Sequence, residues 1–345
     1  MLASIDLGFG YVKGIDEFGN TESFPSIIAK RGESSMSSFI GNSDPYAIIY
    51  WEVEEGNKKN EKRLFVGDAA LTNGGERKWA DKDQKLDTED IKVFISVALA
   101  TLSKGKEPFD ICVGLPISYY NSKKDELIEI LTALDARVSI SGRPNVYNIK
   151  INSVSVFPQG VGAYYAALFN IKGEPKNLNL VTSSVGLIDV GYRTVDFIVM
   201  GKGKNGIVPK ENLSGSLEED GMNKAIKDVA NGISSELNRE ISIAEVEKAI
   251  VWFDNELKYR GQTYDLKNYV DAAYKDLADS ISSKLKLKWG LEGDMLDHII
   301  VTGGGGGKLF PYLKSNFVHA VLQEKSEFAN VYGYLGAYMA GKKNK

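Results

Sequence analysis

Two aspartates carry the first chemical signal in this chain of 345 residues. Asp6 and Asp189 each close an apolar, strand-like run, and each has a glycine two positions on, Gly8 and Gly191. The flanks match as well: over the eleven residues from Ile5 and from Ile188, 183 positions apart, five are identical. A carboxylate held at a tight turn between two strands is exposed and fixed in direction. Glycine has no Cβ and lets backbone N–H groups approach a ligand closely, and successive N–H groups in such a turn make an anion-binding concavity. Two turns of this kind facing each other would grip a polyphosphate. Their carboxylates would hold a hydrated Mg²⁺, an ion that prefers oxygen ligands and keeps several waters. Asp and Gly are also ordinary turn residues, so either copy alone reads as a plain hairpin. The repetition, with matching flanks, favours the ligand site.

Two further segments could serve the same chemistry. In "HIIVTGGGGGKLF" (298–310) an apolar strand runs into five glycines and then a helix, a common way to bring backbone against a nucleotide. It is not a P-loop, which would need glycine at Thr302 and Ser or Thr at Leu309, nor GxGxxG, because Lys308 takes the last glycine position. A flexible turn is the alternative reading. In "FPQGVGAYY", Gln159 is expected at the start of a helix, with Pro158 in the first turn. A glutamine there can orient a water for attack on a γ-phosphate, or it is an exposed helix-start residue.

The elements that must position these residues alternate between strand and helix, which predicts an α/β protein. Both copies of the repeat read as β-hairpins, "LASIDL"/"GYVKGIDE" and "VGLIDV"/"TVDFIVM". Between 25 and 80 the pattern suggests a small inserted subdomain with short strands in "YAIIYWEV" and "KRLFVG" and a charged turn, "EEGNKKNEK". A helix capped by Asp87 or Thr88 follows, with Ile91, Phe94, Ile95, Ala98 and Leu102 on one face. Then come the strand "FDICVGLP", a helix with Leu127, Ile130, Leu131 and Leu134 on one face, and strands near Tyr147–Ile151 and Val154–Phe157. After the second hairpin the periodicity predicts a helix on Met222, Ala225, Ile226, Val229 and Ile233. Helices near 243–253 and 268–288 and a last helix on Val331, Tyr334, Leu335, Tyr338 and Met339 complete the pattern.

Bulk properties narrow the function. A chain of this length is expected to form two domains. With 43% hydrophobic and 26% charged residues and a net charge of −4, it has no broad basic face for direct nucleic-acid binding. The single cysteine, Cys112, reads as a small buried hydrophobe. His298 and His319, the only histidines, have no zinc-site partners. No leader opens the chain and no apolar stretch reaches the roughly 18 residues of a membrane span, so a cytoplasmic protein is expected, without membrane contact.

In order, these segments resemble the five nucleotide-binding motifs of the actin, sugar-kinase and heat-shock chaperone superfamily. "IDLGFGYVK" and "IDVGYRTVDF" look like its two phosphate motifs, "PQGVGA" and "FANVYGYLGAY" like its connecting helices, and "VTGGGGGKLFPYL" like its adenosine motif. "VGLPISYY" and the matches around Gln159 and Asp189 are similar to the prokaryotic ParM and archaeal actin-like group. The resemblance implies an actin-like fold of two related domains flanking a nucleotide cleft, each with a mixed sheet and helices. Domain I would be 1–157, with the insertion at 25–80, completed by the helix 328–345; domain II would be 158–327, with an insertion at 207–292. It implies an ATPase that binds ATP and Mg²⁺, releases ADP and phosphate, and self-assembles into filaments, for plasmid partition through a DNA-bound adaptor or a cytoskeletal role. Carried over, Asp6 and Asp189 are the magnesium-side carboxylates, through water, and with Gln159 the catalytic set. Gly8, Gly10, Tyr11, Gly191, Arg193 and Thr194 would line the phosphates, with Lys13 beside the β-phosphate. Gly303, Gly304 and Gly305, with Lys308 nearby, would line the adenosine end. Glu218, Glu219 and Asp220 stand where relatives often carry a glycine-rich turn near the ribose; Glu219 and Asp220 are placed at the nucleotide there. Phe9 and Tyr11 also depart, standing where many relatives have Ser or Thr. A small-molecule kinase on the same fold, or a non-hydrolysing nucleotide switch, are the competing expectations.

Overall fold

The computed structural model describes residues 1–32, 46–53, 59–77, 88–103, 108–204 and 206–343. Those residues divide into two compact units, Met1–Asn177 with Phe328–Lys345, and Leu178–Glu327.

The first unit begins with the first hairpin, β1 (Leu2–Leu7) and β2 (Tyr11–Asp16), followed by β3 (Thr21–Pro25), β4 (Ile27–Lys30), β5 (Ala47–Val53), β6 (Lys59–Val66), α1 (Asp68–Thr72) and β7 (Glu76–Arg77). Then come α2 (Thr88–Leu102), β8 (Phe109–Leu115), α3 (Ile117–Thr132), β9 (Asp135–Ile140), β10 (Val146–Pro158) and α4 (Val161–Leu168). Among the described residues the strands run in the order β3-β2-β1-β8-β10-β9-β5-β6-β4-β7. β1, β8 and β10 are mutually parallel neighbours, so the ends of β1 and β10 reach the same edge of the sheet.

Strand alternation divides β1 between two cores, as the period of two requires. Ala3, Ile5 and Leu7 join the cluster built around α2, while Leu2 joins Cys112 on the opposite face. The predicted stripe of α2 is buried throughout, and so are Val93, Val97, Leu99 and Ala100. Cys112 is fully buried, and burial pushes its thiol far above its ordinary value, consistent with an inert hydrophobe.

Three local expectations need correcting. The two strands expected at 147–151 and 154–157 are one strand, β10, with a register shift between Ile151 and Ser153. This shift lets one chain segment pair antiparallel with β9 and then parallel with β8. The strands at 47–66 are not self-contained, because β5 pairs with β9 from much later in the chain. Of the expected charged turn, 54–58 lies outside the described residues, as does Asp87, and Lys59 onward is already strand.

The second unit repeats the opening hairpin as β11 (Val185–Val190) and β12 (Thr194–Gly203), then adds β13 (Gly206–Pro209), β14 (Gly215–Glu218), α5 (Met222–Leu237) and α6 (Ile243–Trp252). It continues with β15 (Glu256–Tyr259), β16 (Gln262–Asp265), α7 (Lys267–Asp294), β17 (His298–Thr302), α8 (Gly306–Asn316) and β18 (Ala320–Leu322). Its main sheet runs β13-β12-β11-β17-β18, with β14 also on β12. All five predicted apolar positions of α5 are buried, against α7 and the sheet. Gly290 breaks the helical geometry near the end of α7 at φ 53°.

The chain ends in α9 (Ala329–Lys343), which packs in the first unit against α4. A Cβ on Gly333 would lie 1.7 Å from the Gly162 carbonyl oxygen, so the two helices meet backbone to backbone. The first unit thus runs to Asn177 and includes α4, whereas the motif reading began domain II at 158.

Candidate functional site

Both Asp–x–Gly segments fold into the same turn. Gly8 N–H donates to the Tyr11 carbonyl at 3.1 Å, and Gly191 N–H donates to the Thr194 carbonyl at 2.9 Å. A Cβ at Gly8 would stand 2.7 Å from Tyr11 O, and one at Gly191 2.9 Å from Thr194 O, so each turn closes only on glycine. The second residue of each turn is aromatic and half-buried: Phe9 packs on the core of the first unit and Tyr192 on that of the second.

In the first unit, Asp6 at the end of β1 is 8% exposed and accepts a hydrogen bond from Gln159 Nε2 at 2.6 Å. A carboxylate only accepts, so the amide nitrogen of Gln159 faces Asp6. Gln159 is not the start of a helix. Its N–H donates to Leu115 O at 2.7 Å, extending the sheet past Pro158, and Gly160 at φ 81° then turns the chain into α4. Proline here ends the strand, because φ near −65° suits extended backbone as well as a helix. Lys13 is directly opposite Asp6 in the β1–β2 register, so opposite charges share one face. The carbonyls of the turn are held from behind: Ser26 Oγ donates to Gly8 O at 2.7 Å and Ser26 N–H to Gly10 O at 2.9 Å. Tyr11 opens β2, so Gly8, Gly10, Tyr11, Lys13, Asp6 and Gln159 all lie at one edge of this unit.

In the second unit, Asp189 is likewise 8% exposed and sits opposite Thr302 on β17. The glycine run folds over it. Gly303 has φ 90°, and a Cβ there would lie 2.3 Å from Asp189 Oδ1; at Gly305 it would meet Met222 at 2.5 Å and Val190 at 2.7 Å. The Gly305 N–H donates to Val190 O at 2.9 Å. The Asp–x–Gly turn and the glycine run are therefore one construction. Gly304, between them, is exposed.

Here the turn carbonyls are held by a helix start. N–H groups of Gly221, Met222 and Asn223 donate to the carbonyls of Arg193, Gly191 and Tyr192 at 2.9, 3.1 and 2.7 Å. Just before them, Glu219 is exposed at φ 64°. Asp220 is 3% exposed and bonded to Lys284 Nζ at 2.5 Å and Lys224 Nζ at 3.2 Å. Burial pushes the Asp220 carboxyl up, but the two ammonium groups outweigh it and hold it below the usual carboxylate range.

One residue of interest was missed by sequence reasoning. Glu247, on α6, is 4% exposed, and Tyr192 Oη donates to it at 3.1 Å. Its signal was present: Glu247 occupies a core position in the stripe Ile243, Val246, Ile250. Lys308, in the first turn of α8, is exposed as a residue, while its ammonium loses solvent to the surrounding protein. That loss lowers it from its ordinary value, against the raising pull of the Glu247 charge.

Among the described residues no cluster of three or more His, Cys, Asp or Glu side chains could hold a metal ion, and no helix is long and apolar enough to cross a membrane. One carboxylate at each turn suits only an ion that keeps most of its waters, which is the habit of Mg²⁺.

Residues 4–162 match the model of the N-terminal domain of actin-like proteins, and 187–315 match that of the C-terminal domain of the archaeal, MreB-like actin homologue. Among solved structures, the chain is similar to a ParM from a 15-stranded filament of Clostridium botulinum, with 26% identity, 99% of both chains covered and a TM-score of 0.82. A non-polymerisable quadruple mutant of the pCBH ParM matches at 26% identity over 99% of both chains, with a TM-score of 0.79. An archaeal actin homologue solved with ADP shares the fold at 20% identity, 98% coverage of both chains and a TM-score of 0.73. No curated protein matches the chain.

Proposed function

Because the chain belongs to the actin-like proteins, we propose that it binds Mg-ATP through both Asp–x–Gly turns, hydrolyses it and forms filaments. The observation that carries the proposal is the duplicated turn, with an aspartate at its mouth and its carbonyls engaged from behind. Carbonyl oxygens repel phosphate; tying them down inside each unit favours presenting the turns to an anion by their N–H side. Relatives solved as a filament and with ADP support the reading.

Catalysis would be mainly positioning and charge neutralisation. Gln159, whose Nε2 donates to Asp6, would orient the attacking water. Asp6 and Asp189 would hold Mg²⁺ through its waters, and the ion would supply charge neutralisation on the phosphates. Lys13, opposite Asp6, adds a positive charge at the same edge. Gly303 to Gly305 would line the adenosine end, and buried Glu247 can accept a ribose hydroxyl beside Lys308. Partition of DNA through an adaptor, or a cytoskeletal task in the cytoplasm, would use the filament.

Light scattering and pelleting with Mg-ATP and with Mg-GTP, alongside phosphate release, test this. ATP-dependent polymer with phosphate release and no added acceptor is expected. Absence of nucleotide-dependent polymer over a wide concentration range overturns the filament; release that needs a small-molecule acceptor points to a kinase. Binding and polymer without release point to a switch.

A further inference from the structure

The turn at 191–194 does not stand on its own strands alone. Its three carbonyls take the N–H groups of residues 221–223, so turn and helix α5 satisfy each other's orphan groups. Gly221 makes this possible: a Cβ there would lie 2.4 Å from Arg193 C and 2.5 Å from Tyr192 O. The next residue, Met222, lies directly under Gly305. The start of α5 therefore supports both the phosphate-like turn and the glycine run. No side chain caps this helix start, and the segment entering it passes through Glu219 at φ 64°, a conformation that L residues avoid. Something must hold it there. The buried carboxylate of Asp220 ties this point to a further element: it bonds Lys284 Nζ of α7 at 2.5 Å, with Lys224 of α5 itself at 3.2 Å.

We propose that Asp220 is a positioning residue for the second phosphate turn, pinning the start of α5 to α7 so that its amides keep the carbonyls of 191–193 turned away from the ligand. This rests on the nucleotide reading above and replaces the expected direct contact of Asp220 with the nucleotide.

Amide hydrogen exchange and nucleotide affinity, measured on the full chain and on Asp220→Asn and Lys284→Met, test the lock. In both variants the amides of 191–194 and 221–223 are expected to exchange about tenfold faster, with α9 and β1 unchanged. Affinity for Mg-ATP should fall about tenfold while affinity for adenosine changes less than twofold. The double variant should be no worse than the worse single one, because the two substitutions cut the same link. If Asp220→Asn does not fold, Lys284→Met alone carries the comparison, since Lys284 is more than a third exposed and is the partner on α7. Unchanged exchange at 191–194 overturns the proposal. So does an equal loss for ATP and adenosine, which would mean direct contact with the nucleoside. A wild type that binds no nucleotide removes the functional reading, while the exchange measurements still decide the lock.

Discussion

The two hairpin turns are the same device held in two different ways. Asp6–Leu7–Gly8–Phe9 and Asp189–Val190–Gly191–Tyr192 share the buried aspartate, the closing glycine and the core-packed aromatic. Behind the first stands one serine, Ser26, giving a hydroxyl and an amide. Behind the second stands the start of a helix, giving three amides and tied to α7 by Asp220. The charges across the strands differ too: Asp6 is opposite Lys13, whereas Asp189 is opposite Asp196. The lesson is that local pattern sets the turn, and its backing comes from whatever element each unit has at hand.

If the two turns are equivalent in catalysis, Asp189→Ala and Asp6→Ala should each lower steady-state ATP turnover about 100-fold or more. Loss in only one of them would break the equivalence. Gln159→Ala should lower phosphate release by about 100-fold while leaving ADP affinity within a few-fold, as measured by titration. Gly303→Ala adds a methyl onto the Asp189 carboxylate at an unfavourable φ, and should cost about 3 kcal/mol in denaturant unfolding. Ser26→Ala removes one hydroxyl bond behind the first turn and should cost about 1 kcal/mol, with no counterpart in the second unit. The smallest effect is in acid. The Asp220 carboxyl is held below its unfolded value, so its contribution is present above about pH 4 and is lost as pH falls through the folded value. Melting curves from pH 6 to pH 3 should fall less steeply for Asp220→Asn than for the wild type.

Much of this was readable beforehand because it is local. Strand alternation and glycine placement located both hairpins, and helical spacing located the buried faces of α2 and α5. What failed depended on distant partners. Pro158 looked like a helix start, but pairing with β8 carried the strand on to it. For Glu247 the helical spacing marks a buried position, but its partner Tyr192, 55 positions away, comes only from the fold. The ion pair of Asp220 with Lys284, 64 positions on, has no local signal at all.

The amino-acid order alone determined that two Asp–x–Gly turns form, since glycine at the closing position and an apolar strand on either side suffice for that. Tertiary structure decided what each side chain at those turns is free to do. Hydrogen bonds and ion pairs between residues far apart in the chain form only once the sheets bring them within about 3 Å. Those contacts gave Asp6 its glutamine, Asp189 its glycine cover and Asp220 its lysines.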